Sequence, residues 1–216
     1  MTYQAVLFDL DGTLLDTLDD LADSMNAVLA ANGWPAHPVD AYRTFVGDGV
    51  VELVRRALPE DQRGEETLNR AVQQMRGEYH QRWDCKTRPY DGVAEMLDAL
   101  SERGVAMAVL SNKPHDMTET CVRRLLGDWT FAAIQGVAAD VPPKPDPAGT
   151  AKVCRALDIP AERFVYLGDT DTDMKTATAA GMYAVGAAWG FRSAEELSNH
   201  GARRVIDAPT ELLELF

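Results

Sequence analysis

Apolar positions along the chain fall into two kinds of run, short unbroken stretches and longer stretches repeating at helical spacing, and their order predicts an α/β protein. Ala5 to Phe8 are apolar without alternation, as expected of a parallel strand buried on both faces. Asp16 or Thr17 can cap a following helix whose apolar positions Leu18, Leu21, Met25, Val28 and Leu29 share one face, with Gly33 as its stop. Helical patterns continue over Val39 to Phe45, Gly49 to Leu58 and Glu65 to Trp83, and no strand pattern interrupts them between Asp16 and Trp83.

From residue 93 the pattern changes to strands separated by helix-length segments. A helix over Val93 to Arg103 leads through Gly104 into the strand VAMAVLSN, and a helix over Asp116 to Leu126 leads into a weaker strand over Phe131 to Val137. The proline-rich loop VPPKPDP precedes a helix over Ala148 to Leu157 and the strand RFVYLGD. A helix over Asp173 to Ala180, the strand MYAVGAAW and a short strand over Arg204 to Ile206 complete the series. This rhythm predicts a parallel sheet with right-handed crossovers. The all-helical stretch then reads as a module inserted after the first strand, giving a discontinuous α/β core at 1–15 and 85–216 and an α-helical domain at 16–84.

Composition narrows the class. The 46% hydrophobic and 25% charged content is that of an ordinary globular protein. With 34 Asp and Glu against 21 Lys and Arg and no basic block, nucleic acid is not an expected partner. Cys85, Cys121 and Cys154 are odd in number and lack C-x-x-C spacing, which fits reduced thiols packed in a cytoplasmic protein. No signal-type segment and no membrane-length apolar run is present, so the expectation is a cytoplasmic monomer or homodimer with no membrane partner.

The candidate chemistry sits where the strands end, the edge at which open α/β sheets keep their ligands. Asp9 and Asp11 follow the first strand, spaced so that period-2 geometry points both to one side. Ser111 and Asn112 end the second core strand, Lys144 lies in the proline-rich loop, and Asp169, Asp171 and Asp173 follow the strand RFVYLGD. Neither acidic run is an EF-hand. A loop from Asp9 has Leu14 where the glycine belongs and Asp20 where glutamate belongs, and a loop from Asp169 has Met174 and Ala180 there. Two like charges 4 Å apart in a partly buried site repel by about 4 kcal/mol, so converging carboxylates call for a cation. All-oxygen donors suit Mg²⁺ and phosphate-bearing substrates.

Lys144 supplies further positive charge, with Pro142, Pro143 and Pro145 restricting its loop. Ser111 lacks a G-x-S-x-G elbow, which removes a serine-hydrolase reading and leaves its hydroxyl to bind a phosphoryl oxygen. Gly47-Asp48-Gly49 is not a dinucleotide fingerprint, because Glu52 stands at the third glycine position. His37, His80, His115 and His200 read as packing or surface residues.

DLDGT at 9–13, SN at 111–112, KPDP at 144–147 and GDTDTD at 168–173 together resemble the four ordered motifs of the haloacid dehalogenase superfamily of phosphohydrolases. The inserted helices resemble its small α-helical cap, and FVGDGVVELVRRAL and WDCKTRPYDGV are similar to cap stretches of bacterial phosphoglycolate phosphatases. The resemblance implies a Rossmann-like core and hydrolysis of a small phosphorylated metabolite, 2-phosphoglycolate above others, through an aspartyl-phosphate. It implies Asp9 as nucleophile, Asp11 as acid and base, and Lys144 as the cation on the phosphoryl group. It also implies Thr13, Ser111 and Asn112 as phosphate-side contacts and Mg²⁺ on Asp9, Asp11 through its backbone carbonyl, Asp169 and Asp173, the last from behind the ligands. Gly47, Asp48 and Arg56 are the expected cap contacts, with Arg56 reading the substrate carboxylate. A pyrophosphatase, a sugar-phosphate phosphatase and a β-phosphoglucomutase-like phosphotransferase share these motifs.

Overall fold

A computed structural model describes residues 3–216, leaving Met1 and Thr2, the expected start of the core, outside the described residues. In chain order the elements are β1 (Ala5–Phe8), β2 (Leu15–Asp16), α1 (Leu18–Ala31), α2 (Tyr42–Phe45), α3 (Val50–Ala57), α4 (Glu65–Arg82) and β3 (Arg88–Pro89). They continue with α5 (Val93–Glu102), β4 (Ala106–Pro114), α6 (His115–Leu125), β5 (Ala133–Val137), α7 (Ala148–Leu157) and β6 (Phe164–Gly168). The last four are α8 (Asp171–Ala180), β7 (Tyr183–Ala187), α9 (Ala194–Asn199) and β8 (Arg204–Ile206). The chain divides into two compact units, the residues up to Leu15 with Pro89–Phe216, and Asp16–Arg88.

The first unit is built on a six-stranded parallel sheet in the order β5-β4-β1-β6-β7-β8. The unbroken apolar run of β1 follows from its central position, with all four residues buried and paired to β4 on one side and β6 on the other. Register aligns Leu7 with Ala108 and Tyr166, and this row packs on Val153, Met174 and Ala177 from the crossover helices. From β1 the sheet grows through β4 to β5 in one direction and through β6 to β8 in the other. Reversal of strand order beside β1 makes a crevice at the carboxyl ends of β4, β1 and β6, the place where such sheets bind ligands. Two differences from the sequence pattern matter there. β4 runs on to Pro114, carrying Ser111, Asn112 and Lys113 within the strand, and α8 begins at Asp171 because Thr170 caps it.

The second unit is helical. α4 buries Leu68, Ala71, Val72, Met75 and Tyr79 and packs on α1, whose Leu21, Met25, Val28 and Leu29 face inward as their spacing predicts. Thr17 stands at the start of α1 as expected, but its hydroxyl makes no capping bond. Asn26 ties the unit's aromatic corner together, exchanging bonds with the His37 backbone and accepting from the Tyr42 hydroxyl at 2.8 Å. His37 serves packing, its Nε2 lying 2.8 Å from the Ala57 carbonyl and its ring edge-on to Phe45.

The return crossing falls at Arg88–Pro89, four residues beyond the expected 84/85 boundary. The cause is Asp20, a buried carboxylate on α1 that accepts from the Lys86 N–H, the Thr87 N–H and the Thr87 hydroxyl. Lys86 adds an ion pair to Asp23 at 2.7 Å. These bonds bind residues 86–87 to the helical unit. Of the two-residue strands β2 and β3, which pair with each other, neither is long enough to leave a periodic signal.

Candidate active site

Asp9 leaves the end of β1 nearly buried, and its Oδ1 takes the Leu10 N–H at 2.7 Å and the Lys144 ammonium at 2.8 Å. The same ammonium lies 2.7 Å from Asp173 Oδ1. Lys144 is itself held by its backbone, because Asn112 accepts the Lys144 N–H at 2.6 Å and turns its amide toward the Lys144 carbonyl at 3.4 Å. Asn112 is thus a clamp on Lys144. These two bonds use one amide N–H and one lone pair of the carbonyl oxygen.

Asp169, at the end of β6, is fully buried. Its Oδ1 accepts from the Thr13 hydroxyl at 2.7 Å and its Oδ2 from the Phe191 N–H at 2.9 Å. Two glycines make room for it. A Cβ on Gly12 would sit 2.3 Å from Asp169 Oδ2, and one on Gly190 would sit 2.2 Å from Asp169 Cβ. Gly12 also has φ +85°, a conformation that side chains disfavour. Thr13 has no exposed surface, and its hydroxyl is bonded to the Asp169 carboxylate.

Asp173 is the most heavily bonded acid of the group. Oδ1 accepts from Lys144 and from the Tyr166 hydroxyl at 3.1 Å, and Oδ2 accepts from the Thr170 N–H and the Thr170 hydroxyl. Thr170 accepts in return from the Asp173 N–H, completing a capping box at the start of α8. A carboxylate offers about four acceptor positions, and all are occupied. Asp173 thereby positions Lys144, in keeping with the expected place behind the metal ligands. Asp171 points elsewhere, pairing with Lys175 at 2.6 Å; burial acts against its charge, but Lys175 prevails and holds its carboxyl below the usual range.

Asp9, Asp169 and Asp173 each offer an oxygen within 4.8 Å of the others. Three carboxylates against one ammonium leave a net charge of about −2 when all are ionised in a nearly buried site, which fits one hard divalent cation with oxygen ligands. Burial and the crowding of carboxylates shift their acidities. Burial, then the charge of Asp173, pushes Asp169 up to about 7, against the bonds from Phe191 and Thr13. Asp9 is raised well above the ordinary range by burial and by Asp173 and Asp169, in spite of Lys144. For Lys144 burial opposes the charge, but Asp173 and Asp9 outweigh it and keep the ammonium protonated. Burial holds the Tyr166 phenol well above its ordinary value, so it remains a neutral donor.

Asp11 does not join this cluster. β1 ends at Phe8, so alternation along a strand no longer governs where Asp11 points, and its Oδ1 meets Lys113 Nζ at 2.8 Å. In the expected metal set Asp11 keeps only its backbone carbonyl. Ser111 is buried beside this pair, accepting the Lys113 N–H at 3.2 Å. Sequence reasoning missed Lys113, Tyr166 and Thr170. T-x-x-D at 170–173 was a legible capping signal, whereas no local pattern marks Lys113.

Gly47, Asp48 and Arg56 lie together in the helical unit. Arg56 pairs with Asp48 and donates to the Phe45 carbonyl at 3.1 Å and the Thr44 carbonyl at 3.4 Å. Its guanidinium is engaged by the loop before α3, where the expected cap contacts Gly47, Asp48 and Arg56 are thus brought together. Gly47 and Gly49 flank Asp48 with φ +122° and +88°.

Residues 6–187 match the family model for the haloacid dehalogenase-like hydrolases. A phosphoglycolate phosphatase of Psychrobacter arcticus is 30% identical over 220 residues, covering 99% of this chain and 96% of its own length. One from Pseudomonas savastanoi pv. phaseolicola is 32% identical over 212 residues, covering 96% of this chain and 78% of its own. A crystal structure from Lactobacillus delbrueckii subsp. bulgaricus, of a protein assigned as a phosphoglycolate phosphatase, superposes with a TM-score of 0.93 at 30% identity over 99% of this chain and 98% of that one. Among the described residues no helix is long and apolar enough to cross a membrane. With its strand-end acids, its buried lysine and its matched length, the chain belongs to the haloacid dehalogenase-like hydrolase family.

Proposed function

We propose that this hydrolase is a Mg²⁺-dependent phosphatase acting on a small phosphorylated metabolite, 2-phosphoglycolate, by way of a phosphoryl group carried on Asp9. The observation that carries the reading is the buried Asp9 carboxylate, one oxygen fixed by Lys144 and Leu10 and its neighbour Asp169 at ligand distance. With Oδ1 oriented in this way, Oδ2 attacks phosphorus as the bond to the ester oxygen breaks. Asp11, as the acid, donates its proton to that oxygen, and the alcohol leaves. Asp11, now a carboxylate, takes a proton from water, which attacks phosphorus, frees Asp9 and yields inorganic phosphate.

Lys144 offsets charge on the phosphoryl oxygens, and the Ser111 hydroxyl donates to one of them. Asp9, Asp169 and the Asp11 carbonyl would hold Mg²⁺, with Asp173 behind them. Bound there, the ion supplies neutralisation of the phosphoryl charge. The substrate assignment is supported by curated relatives named phosphoglycolate phosphatase that align over nearly the full chain. Purified protein assayed with Mg²⁺ against 2-phosphoglycolate, pyrophosphate and sugar phosphates tests it. The highest kcat/KM is expected for 2-phosphoglycolate, and a higher value for pyrophosphate or a sugar phosphate would replace the substrate.

A further inference from the structure

We infer that Lys113 determines substrate specificity: its ammonium receives a carboxylate borne by the leaving alcohol one carbon away from the ester oxygen. The inference rests on the phosphatase reading above and deepens it.

The placement comes from the strand. Lys113 lies inside β4, next to β1 in the sheet, and its side chain is 6% exposed where that of Asp11 is 16% exposed. An ammonium is strongly hydrated, and burying one is costly unless it meets negative charge. Lys144 meets two buried carboxylates, Asp9 and Asp173, whereas the carboxylate paired with Lys113 is Asp11, the acid, at 2.8 Å. Lys113 Nζ also lies 3.9 Å from the Cys121 sulfur, a weak acceptor.

Position relative to the chemistry then follows. When Asp11 delivers a proton to the ester oxygen, that oxygen lies within hydrogen-bond reach of the Asp11 carboxyl, and Lys113 is one ion-pair length further on. In 2-phosphoglycolate a single methylene joins the ester oxygen to the carboxylate. A carboxylate so tethered emerges beside Lys113, and an ester whose alcohol ends in a methyl group brings nothing to meet the charge. Arg56, the cation expected for this task, is committed to Asp48 and two backbone carbonyls. Among the described residues Lys113 and Lys144 are the buried lysines, and of the two Lys113 is the one paired with the acid that serves the leaving alcohol.

The test compares kcat/KM for 2-phosphoglycolate and for ethyl phosphate, its two-carbon counterpart without the carboxylate, in the wild type and in Lys113→Met, Lys113→Gln and Lys113→Arg. Since Lys113 also touches Asp11, rates on both esters fall in the uncharged variants, and the ratio between the esters is the readout. The preference for 2-phosphoglycolate should drop about tenfold to a hundredfold in Lys113→Met and Lys113→Gln, as loss of a charge-assisted bond implies, and survive largely in Lys113→Arg. Thermal melts identify folded variants, and the Gln variant carries the comparison if the Met variant does not fold. An unchanged ratio would overturn the assignment and reduce Lys113 to a support for Asp11. A wild-type ratio near one would overturn it too, with the phosphatase reading intact. Absence of phosphate release from either ester would remove both.

Discussion

The ammonium of Lys144 lies 2.8 Å from the carboxylate of Asp9, inside a cluster where Asp169 and Asp173 are already buried. The two partners of this pair are not equivalent for stability. Lys144→Met leaves three carboxylates without their cation, and metal-free unfolding free energy should fall by about 3–5 kcal/mol, as for a broken buried pair. Asp9→Asn removes one of the repelling charges and keeps the volume, so the metal-free variant should melt at or above the wild-type temperature. Denaturant titration of both proteins in EDTA checks this; a strongly destabilised Asp9→Asn protein would show that repulsion does not dominate the site.

Asp169 gives the site a pH dependence. Its folded value of about 7 lies above the ordinary carboxyl range, so its contribution to metal-free stability is present in acid and is lost as pH rises through 7. Metal binding runs the other way, since a cation must displace that proton. Affinity for Mg²⁺, measured by calorimetry, should fall by about tenfold per pH unit below 7, with proton release on binding. Affinity independent of pH between about 5.5 and 7.5 would show that Asp169 is ionised without the metal.

Asn112 holds Lys144 through backbone bonds that Ala cannot replace. Asn112→Ala leaves a buried N–H unsatisfied and should cost about 1–3 kcal/mol of stability by denaturant titration, with kcat reduced on every phosphate ester. Full stability in the alanine variant would mean that the Lys144 loop holds itself.

Arg56 supports a loop through Asp48 and the carbonyls of Thr44 and Phe45. Arg56→Ala should therefore lower kcat/KM for 2-phosphoglycolate and p-nitrophenyl phosphate by the same factor. A selective loss on 2-phosphoglycolate of about tenfold or more would identify Arg56 as a reader of the carboxylate.

These cases show what could be read without coordinates. β1, β4 and β6 announced themselves as apolar runs, and whatever follows such a run lies at the sheet's carboxyl edge, which is why Asp9, Ser111 and Asp169 were legible. Choosing between Asp171 and Asp173 needed the capping box, which turns Asp173 inward and leaves Asp171 to Lys175. Partners of charged groups were hidden. Arg56 and Lys113 look alike in a sequence, and only tertiary contacts show one committed to its own loop and the other buried against Asp11. The unit boundary was hidden for the same reason, since Asp20 acts on residues 86–87 across a long stretch of chain.

The most direct test of the account is phosphate release from 2-phosphoglycolate by the wild type and by Asp9→Asn, each with Mg²⁺ and with EDTA. The wild type with Mg²⁺ should reach a kcat/KM within the enzymatic range of about 10⁴–10⁸ M⁻¹s⁻¹. EDTA and Asp9→Asn should each abolish release, the variant while still folded by circular dichroism. Turnover by folded Asp9→Asn near the wild-type rate, or release undiminished in EDTA, would contradict the assignment of this site.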